Sequence, residues 1–307
     1  MALLHEISPK ILVPESAGLY FGEAPRWHNG KLFFADMIGQ KIYALDLSGK
    51  LEVFLEVPNQ PNGMCFMPDG SLIYSSMFDA KLYRYYNGQI ELFADLSSLM
   101  TGYCGDMVID AAGRVFIDDT GARVLHGEKP CPGRLLVVDT DRSVKVAAEN
   151  LVFPNGVTID REGTSLYIAE TFAYRINKFN LSESGELTNR QEVWDATEWA
   201  RLRGTQSEKF SSVDGFCMDK DNGMWLSLLA DEVFARRDPE KGMFTHMIKV
   251  DGHATACTLG GDDGKTLFML ANITPKGDDL FTAMVERRTR CIVLTATVDV
   301  GHGDARP

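Results

Sequence analysis

The chain has 307 residues, of which 45% are hydrophobic and 24% charged, so it contains enough apolar material for a large folded core. Its formal net charge of -12 argues against nucleic-acid binding, which depends on Lys and Arg side chains that neutralise phosphates. No basic start is followed by a long apolar stretch, and no segment approaches the roughly 18 apolar residues of a membrane span. We therefore expect a soluble, cytoplasmic protein with neither a nucleic-acid nor a membrane partner.

The cysteines stand singly in the sequence, with no C-x-x-C pair. They are Cys65, Cys104, Cys131, Cys217, Cys257 and Cys291. This spacing favours neither a zinc knuckle nor a disulfide framework, and we expect the thiols to be reduced.

A short motif recurs along the chain. Each copy has a small or polar residue, an apolar pair, an Asp/Gly turn and then a segment rich in β-branched and aromatic residues. The copies begin at Gly22, Pro61, Tyr103, Pro154, Val213 and Ala254. Repeats with a period of about 40–50 residues are typical of a propeller. A β-sandwich with chance similarity between its strands is the alternative.

Further strand-like segments follow the copies, such as KIYALDL and LEVFLEV after the first and KLYRYY and QIELFADL after the second. Each unit thus predicts four short antiparallel strands, the blade of a propeller. The sixth unit lacks a fourth strand, which the early segment EISPKILVP can supply. We predict an all-β, six-bladed propeller that forms one domain over residues 1–307, with the last blade closed by the N-terminal strand.

The first residues of the repeats are expected to meet in the central channel, because the innermost strand of every blade starts there. These heads are Glu23, Asn62, Gly105 with Asp106, Asn155, Asp214 and the stretch from His253 to Thr255. Their oxygen ligands suit calcium, magnesium or manganese. Without a cation, Glu23 and Asp214 would repel each other, and the pKa of at least one would rise. We predict one divalent metal ion.

Each head residue also has a simpler interpretation. Asn62 and Asn155 lie in Pro-Asn-Gly, a turn signal in which Asn merely tolerates a positive φ. Asp214 could cap a turn, and Glu23 could be an exposed loop residue. The shared register in the repeat favours the metal site.

Three segments resemble the family of senescence marker protein (regucalcin), gluconolactonases and the luciferin-regenerating enzyme. They are GEAPRWHNGKLFFADM, FPNGVTIDREGTSLYIAETFAYRI and SSVDGFCMDKDNGMWLS, and the resemblance extends over nearly the whole chain. It implies that Glu23, Asn155 and Asp214 ligate the metal and that Asp214 is also the proton acceptor. Calcium is the first choice of metal, with zinc, magnesium, manganese and iron(II) as alternatives.

The third head departs from this pattern. The resemblance implies that members cleaving sugar lactones carry an Arg and an Asn where this chain has Tyr103 and Gly105, just before Asp106. Losing two polar donors weakens selection for a polyhydroxylated substrate by on the order of 1–3 kcal/mol each. We therefore expect a substrate less polar than a sugar lactone.

Aromatic residues are candidates for an apolar wall around this substrate, although packing between blades is the alternative for each. They are Phe21, Tyr103, Phe172, Tyr174 and Phe234. Substrate contacts are predicted for Asn62, Tyr103, Gly105, Asp106 and Phe172. His253 is a candidate second base, with a packing role as the alternative, and residues 194–210 are predicted to form a partly helical lid.

The function that these features favour is hydrolysis of a small lactone or ester, with the metal on the carbonyl oxygen and Asp214 accepting a proton from water or only orienting it. Neither a G-x-S-x-G motif nor a phosphate-binding loop is present. Two alternatives remain: non-hydrolytic chemistry on an apolar metabolite, and calcium binding without turnover. We expect a monomer or homodimer.

Overall fold

A computed structural model describes residues 4–204 and 211–306 of the chain. The described residues begin with two short strands, β1 (His5–Glu6) and β2 (Lys10–Val13), which precede the repeats. The remaining strands form six antiparallel sheets of four strands each, counting β2 as a member of the last. The predicted six-bladed propeller is confirmed.

The first three blades each consist of consecutive strands. Blade 1 contains β3 (Gly22–His28), β4 (Lys31–Asp36), β5 (Lys41–Leu45) and β6 (Leu51–Glu56). Blade 2 contains β7 (Pro61–Phe66), β8 (Leu72–Ser76), β9 (Lys81–Tyr86) and β10 (Gln89–Asp95). Blade 3 contains β11 (Cys104–Ile109), β12 (Val115–Asp119), β13 (Gly133–Val138) and β14 (Val144–Leu151).

The other three blades complete the ring. Blade 4 contains β15 (Pro154–Ile159), β16 (Ser165–Glu170), β17 (Arg175–Leu181) and β18 (Leu187–Asp195). Blade 5 contains β19 (Val213–Met218), β20 (Met224–Leu228), β21 (Val233–Asp238) and β22 (Met243–Lys249). Blade 6 contains β23 (His253–Gly260), β24 (Thr266–Ile273) and β25 (Arg290–Thr297).

The ring closes as predicted from the sequence. Strand β2 pairs antiparallel with β25 and becomes the fourth strand of blade 6. Strand β1 adds in parallel to β22 at the outer edge of blade 5. The innermost strands β3, β7, β11, β15, β19 and β23 contact their neighbours around the ring. Closure leaves fewer sheet edges open to pairing with other chains.

Helical segments are short and lie in loops. The α-helices are α1 (Ala196–Arg203) and α2 (Leu280–Val285). Single 3-10 turns span Glu15–Ala17, Val124–His126, Thr171–Ala173 and Leu229–Asp231. No helix in the described ranges is long and apolar enough to cross a membrane.

The turn that joins the first two strands of a blade is fixed by an aspartate. The Oδ1 atom of Asp110 accepts hydrogen bonds from the backbone N–H groups of Ala112 and Arg114, at 2.9 Å each. Asp219 does the same in blade 5, with the N–H groups of Asp221 and Gly223. The Asp/Gly turn seen in the sequence therefore has a local cause, since a short acceptor side chain satisfies the backbone of its own turn.

Apolar side chains pack between neighbouring blades, which stabilises the ring. Phe234 is fully buried in the cluster shared by blades 5 and 6, together with Trp225 and Leu267. Its predicted place in the cavity wall is therefore wrong, because its side chain points between the two sheets. All six cysteines are free in the structure.

Candidate metal centre and substrate cavity

Every innermost strand is irregular at its head. The pairing register shifts between Glu23 and Arg26 in blade 1, and shifts also occur just inside the heads of the other five blades. A β-bulge leaves residues outside the ladder and redirects their side chains, and bulges are frequent beside active sites. The repeated irregularity explains how side chains at the heads turn toward the channel.

The Pro-Asn-Gly segments are strand heads rather than turns. Asn62 and Asn155 lie in β7 and β15, and neither has a positive φ. The glycine that follows each Asn is required by close packing, because a Cβ at Gly63 would lie 2.3 Å from the carbonyl oxygen of Gly105. A Cβ at Gly156 would lie 2.6 Å from the carbonyl oxygen of Asp214. The alternative interpretation as a turn signal is therefore wrong.

Glu23, Asn62, Gly105, Asn155 and Asp214 line one cavity at the head end of the channel. Counted with its open mouth, the cavity has a volume of about 690 Å³. The structure thus brings together the three residues predicted to ligate a metal. Asp118, Thr120 and Thr171, which were not singled out from the sequence, complete its polar lining.

Two of the carboxylates are in an unfavourable environment. Burial raises the pKa of Glu23 well above its usual range, and the nearby Asp214 and Asp106 raise it further. Burial also raises the pKa of Asp214 to about 8, with Asp106 adding to the effect. The Oδ1 atom of Asp214 is buried and has no hydrogen-bond partner. The raised pKa of Glu23 agrees with the predicted repulsion from Asp214, whereas burial and Asp106 account for the raised pKa of Asp214.

Asp106 lies behind the cavity rather than in its lining. Its Oδ1 atom is 2.6 Å from Nη2 of Arg26, and both side chains are buried. Arg26 also donates to the carbonyl oxygens of Pro25 and Met107, at 2.8 Å each. The guanidinium borders a second pocket, at the opposite end of the channel, that is lined by the C-terminal residues 302–306. The ion pair of Arg26 and Asp106 therefore lies between the candidate metal cavity and the second pocket.

His253 does not reach the cavity. It pairs with Asn272 at the start of β23 and is not among the described residues that line the cavity, while its Nδ1 atom is buried without a partner. Thr255, at the same blade head, is fully buried and also absent from the described lining, and its hydroxyl lies 2.9 Å from the carbonyl oxygen of Leu270 and 3.3 Å from that of Gly22. The structure thus offers no geometric support for His253 as a second base.

The cavity walls are predominantly apolar. Phe21, Tyr103 and Phe172 line the cavity as predicted, whereas Tyr174 is not among the described lining residues. The hydroxyl of Tyr103 is hydrogen-bonded to Nδ1 of His126, so its ring faces the cavity without a free polar end. Burial raises the pKa of Tyr103 to about 12, which keeps the phenol neutral.

Two segments that the sequence did not reveal cap the cavity mouth. Leu280, Phe281 and Met284 of α2 extend from blade 6, and Val124 and Leu125 come from the 3-10 turn of blade 3. The two segments contact each other across the channel axis. The only signal for α2 was an N-cap pattern, in which Asp279 accepts from the backbone N–H of Thr282.

The predicted lid over residues 194–210 is helical in part, since α1 spans Ala196–Arg203. However, Trp199 of α1 packs on Phe244 and donates from Nε1 to Asp231, away from the cavity. None of the described residues of this segment lines the cavity, and residues 205–210 lie outside the described residues.

The side chains available as ligands decide how a metal ion could be bound. The part of the chain that the structure describes has no cluster of three His, Cys, Asp or Glu side chains that could bind a metal ion. A centre at this position therefore needs the carboxamide oxygen of Asn155 beside the carboxylates of Glu23 and Asp214. The buried, unpartnered Oδ1 of Asp214 and the two raised pKa values fit a hard divalent cation, which is bound by oxygen ligands.

Comparison with known proteins agrees with this fold. A family model described as the SMP-30/Gluconolactonase/LRE-like region matches residues 21–272. The protein YvrE of Bacillus subtilis (strain 168) is 23% identical over 253 residues, covering 81% of this chain and 82% of YvrE.

Two solved structures are similar as well. A calcium-binding protein, regucalcin from Agrobacterium tumefaciens, has a TM-score of 0.77 at 18% identity and covers 99% of both chains. A gluconolactonase from Xanthomonas campestris has a TM-score of 0.67 at 18% identity and covers 94% of both chains. These structural similarities establish the fold, and the family match spans most of the sequence. The chain belongs to the SMP-30/gluconolactonase/LRE-like family.

Proposed function

We propose that this chain is a metal-dependent hydrolase that opens a small lactone less polar than a sugar lactone. The observation that carries the proposal is the convergence of Glu23, Asn155 and Asp214 at the polar end of an apolar cavity, where Oδ1 of Asp214 has no partner. Family membership and the gluconolactonase named among its structural relatives support the reaction class.

The three side chains would hold one divalent cation, with calcium as the first candidate because all the ligands are oxygens. Bound there, the cation would supply positive charge for the carbonyl oxygen of the lactone and for the oxyanion that forms during hydrolysis. The carboxylate of Asp214 would accept the proton of the attacking water or orient that water. Both roles require the ionised form of Asp214, which a bound cation favours.

The cavity walls account for the expected substrate. Phe21, Tyr103 and Phe172 from the blades and Phe281 from α2 present apolar surface, and Tyr103 directs its hydroxyl to His126. A polyhydroxylated ring would leave several hydroxyls unpaired against this surface, at a cost of about 1–3 kcal/mol each. An aliphatic lactone would instead gain from burial of its methylene groups.

The test is an initial-rate panel on the metal-stripped protein, with calcium, magnesium, manganese, zinc or iron(II) added back singly. We expect turnover to return with at least one metal and to be faster on δ-valerolactone and ε-caprolactone than on gluconolactone. The Asp214→Asn variant is isosteric and should lose at least about a hundredfold in kcat, the usual contribution of a positioned base.

Two outcomes would contradict the proposal. Unchanged turnover in Asp214→Asn would exclude this residue from the reaction. Metal binding without turnover of any lactone or of phenyl acetate would favour a calcium-binding protein, or a different reaction on an apolar metabolite.

A further inference from the structure

Asn62 is the one polar side chain of the described cavity lining that neither the proposed metal centre nor the hydrogen bonds of the fold use. The polar side chains of this lining are those of Glu23, Asn62, Tyr103, Asp118, Thr120, Asn155, Thr171 and Asp214. Glu23, Asn155 and Asp214 belong to the proposed metal centre. The contacts of the remaining side chains therefore decide which of them a ligand can use.

The other polar groups are already paired within the protein. Both carboxylate oxygens of Asp118 accept from backbone N–H groups, at 3.0 and 2.7 Å. The hydroxyls of Thr120 and Thr171 donate to backbone carbonyl oxygens, at 3.1 and 2.9 Å. The phenol of Tyr103 is hydrogen-bonded to Nδ1 of His126. A ligand would have to compete with these bonds.

The carboxamide of Asn62 is held only by weak contacts. Its Nδ2 atom lies 3.8 Å from the Sδ atoms of Met37 and Met77, and a thioether is a weak acceptor. Its Oδ1 atom has no hydrogen-bond partner within residues 4–204 and 211–306, and it is not sealed inside the protein. The side chain is only partly buried. Its carbonyl oxygen is therefore an acceptor that a ligand can reach.

Asn62 lies across the channel from Asp214. Blade 2 is opposite blade 5, because the innermost strands contact one another in chain order around the ring. The two residues stand at the heads of β7 and β19. The head of blade 3, next to Asn62, has Gly105 and so offers no side chain of its own. A ligand with its carbonyl oxygen at the metal centre would turn the opposite end of its ring towards Asn62.

We propose that Asn62 determines substrate specificity by accepting a hydrogen bond from one hydroxyl group, so that the preferred substrate is a lactone with a single hydroxyl remote from its carbonyl. The inference rests on the proposed function for the position of the carbonyl, but recognition of the hydroxyl does not require hydrolysis. A fully apolar ring would remove water from Oδ1 without replacing its hydrogen bond, which weakens binding. An ammonium donor is disfavoured, because a divalent cation in the same cavity would repel it.

The experiment measures binding of cyclic ketones, which resemble a six-membered lactone but have no ester bond to hydrolyse. Cyclohexanone, 4-hydroxycyclohexanone and 4-methoxycyclohexanone are titrated into the protein with calcium present and followed by NMR. Only the hydroxyl compound has a donor, and this donor lies across the ring from the carbonyl. We expect it to bind about fivefold more tightly than the methoxy compound, as a net hydrogen bond between neutral groups provides.

The Asn62→Leu variant keeps roughly the size of the side chain and removes its oxygen. Its preference for the hydroxyl compound should disappear, while cyclohexanone still binds. The matched control is Asn59→Leu, since Asn59 precedes β7 in the same blade, is exposed and is absent from the described cavity lining. This control should retain the wild-type preference. If Asn62→Leu does not fold, Asn62→Ala removes the same oxygen and serves the same comparison.

Equal binding of the hydroxyl and methoxy compounds by the wild type would overturn the proposal, as would an unchanged preference in the folded Asn62 variant. This result is separable from the outcome for the lactonase, because turnover of lactones is measured independently. A protein that prefers the hydroxyl compound but hydrolyses no lactone would support the role of Asn62 and contradict the hydrolase. Turnover of lactones without this preference would do the reverse.

Discussion

Asn62 and Asn155 show how one tripeptide occupies two different environments in the same cavity. Both stand in Pro-Asn-Gly at a blade head, and both line the cavity. The Nδ2 atom of Asn62 contacts the Sδ atoms of Met37 and Met77, at 3.8 Å each. Asn155 instead belongs to the blade next to that of Asp214, and Gly156 packs on the Asp214 backbone. The tripeptide itself offers no reason to separate the two residues, and only the family resemblance assigns the metal to Asn155.

The two asparagines provide a matched test of the metal centre. We expect Asn155→Ala to weaken calcium binding by about tenfold or more, because even indirect partners of a metal contribute about 10–100-fold in affinity. Asn62→Ala should retain the wild-type affinity and change only the KM for lactones. Isothermal titration calorimetry measures the first effect, and equal losses in both variants would exclude the assignment of Asn155.

The ion pair between Arg26 and Asp106 controls the charge behind the cavity. Removing one member of a buried pair leaves the other charge uncompensated, which usually costs about 3–5 kcal/mol. Here the charge left by Arg26→Met would lie near Glu23 and Asp214, whose pKa values Asp106 already raises. The free energy of unfolding should therefore fall by about 3–5 kcal/mol.

Urea denaturation measures this loss, and two variants control it. Arg84→Met breaks an ion pair with Asp69 that is partly exposed and should cost no more than about 1 kcal/mol. The double variant Arg26→Met/Asp106→Asn should recover part of the loss. If Arg26→Met lowers the free energy of unfolding no more than Arg84→Met does, the buried ion pair stabilises the fold no more than an exposed one.

At the scale of elements, the features predicted correctly from the sequence are those that local interactions determine. The Asp/Gly turns, the strand alternation and the heads of the repeats are each set within about 20 residues, as the hydrogen bonds of Asp110 and Asp219 illustrate. The cap over the cavity could not be predicted in this way. Helix α2 and the 3-10 turn of blade 3 contact each other although they belong to blades 6 and 3, far apart in the sequence, so no local pattern links them.

Dependence on contacts between distant parts of the chain also explains which site residues were predicted wrongly or missed. Phe234 and Phe172 have the same apolar character, yet one is buried between sheets and the other lines the cavity. Asp118 was missed because its position in β12 carries no repeat signal, and its carboxylate occupies the space left by the missing side chain of Gly105.

The apolar cap makes a prediction about substrate preference. Phe281→Ala in α2 should lower kcat/KM for ε-caprolactone by about tenfold, since an aromatic side chain contributes about 1.5–3 kcal/mol on burial. Hydrolysis of a smaller lactone, such as γ-butyrolactone, should change less, because that ring reaches less of the cap. Val285→Ala is the control on the same helix, because Val285 is 58% exposed and lies outside the described cavity lining. Equal losses on both lactones would argue against a substrate contact.

At the scale of the whole molecule, ring closure forces carboxylates from distant blades into one space. Glu23 comes from blade 1 and Asp214 from blade 5, and both line the same cavity. The sequence predicted this convergence from the shared register of the repeats. It could not indicate how deeply the carboxylates are buried, which decides the size of their repulsion.

This repulsion predicts how the metal-stripped protein responds to pH. The pKa of Asp214 is about 8 in the folded chain, against a usual value of 3.8. Between these two values the folded state holds a proton that the unfolded state has released, so stability falls as pH rises. The Tm of metal-stripped protein should therefore decrease from pH 5 to pH 8, and Glu23 acts in the same direction.

Calcium should reverse this dependence, because a bound cation favours both ionised carboxylates and competes with protons for them. The increase in Tm on adding calcium is expected to grow from pH 5 to pH 8, and scanning calorimetry at each pH measures it. In Asp214→Asn, both the fall of Tm in the stripped protein and the gain in Tm from calcium should be smaller. The fall should not disappear, because Asp118 and Asp36 keep their own raised pKa values in that background. A stripped wild type whose Tm rises over this range would show that the two carboxylates do not meet in a dehydrated channel.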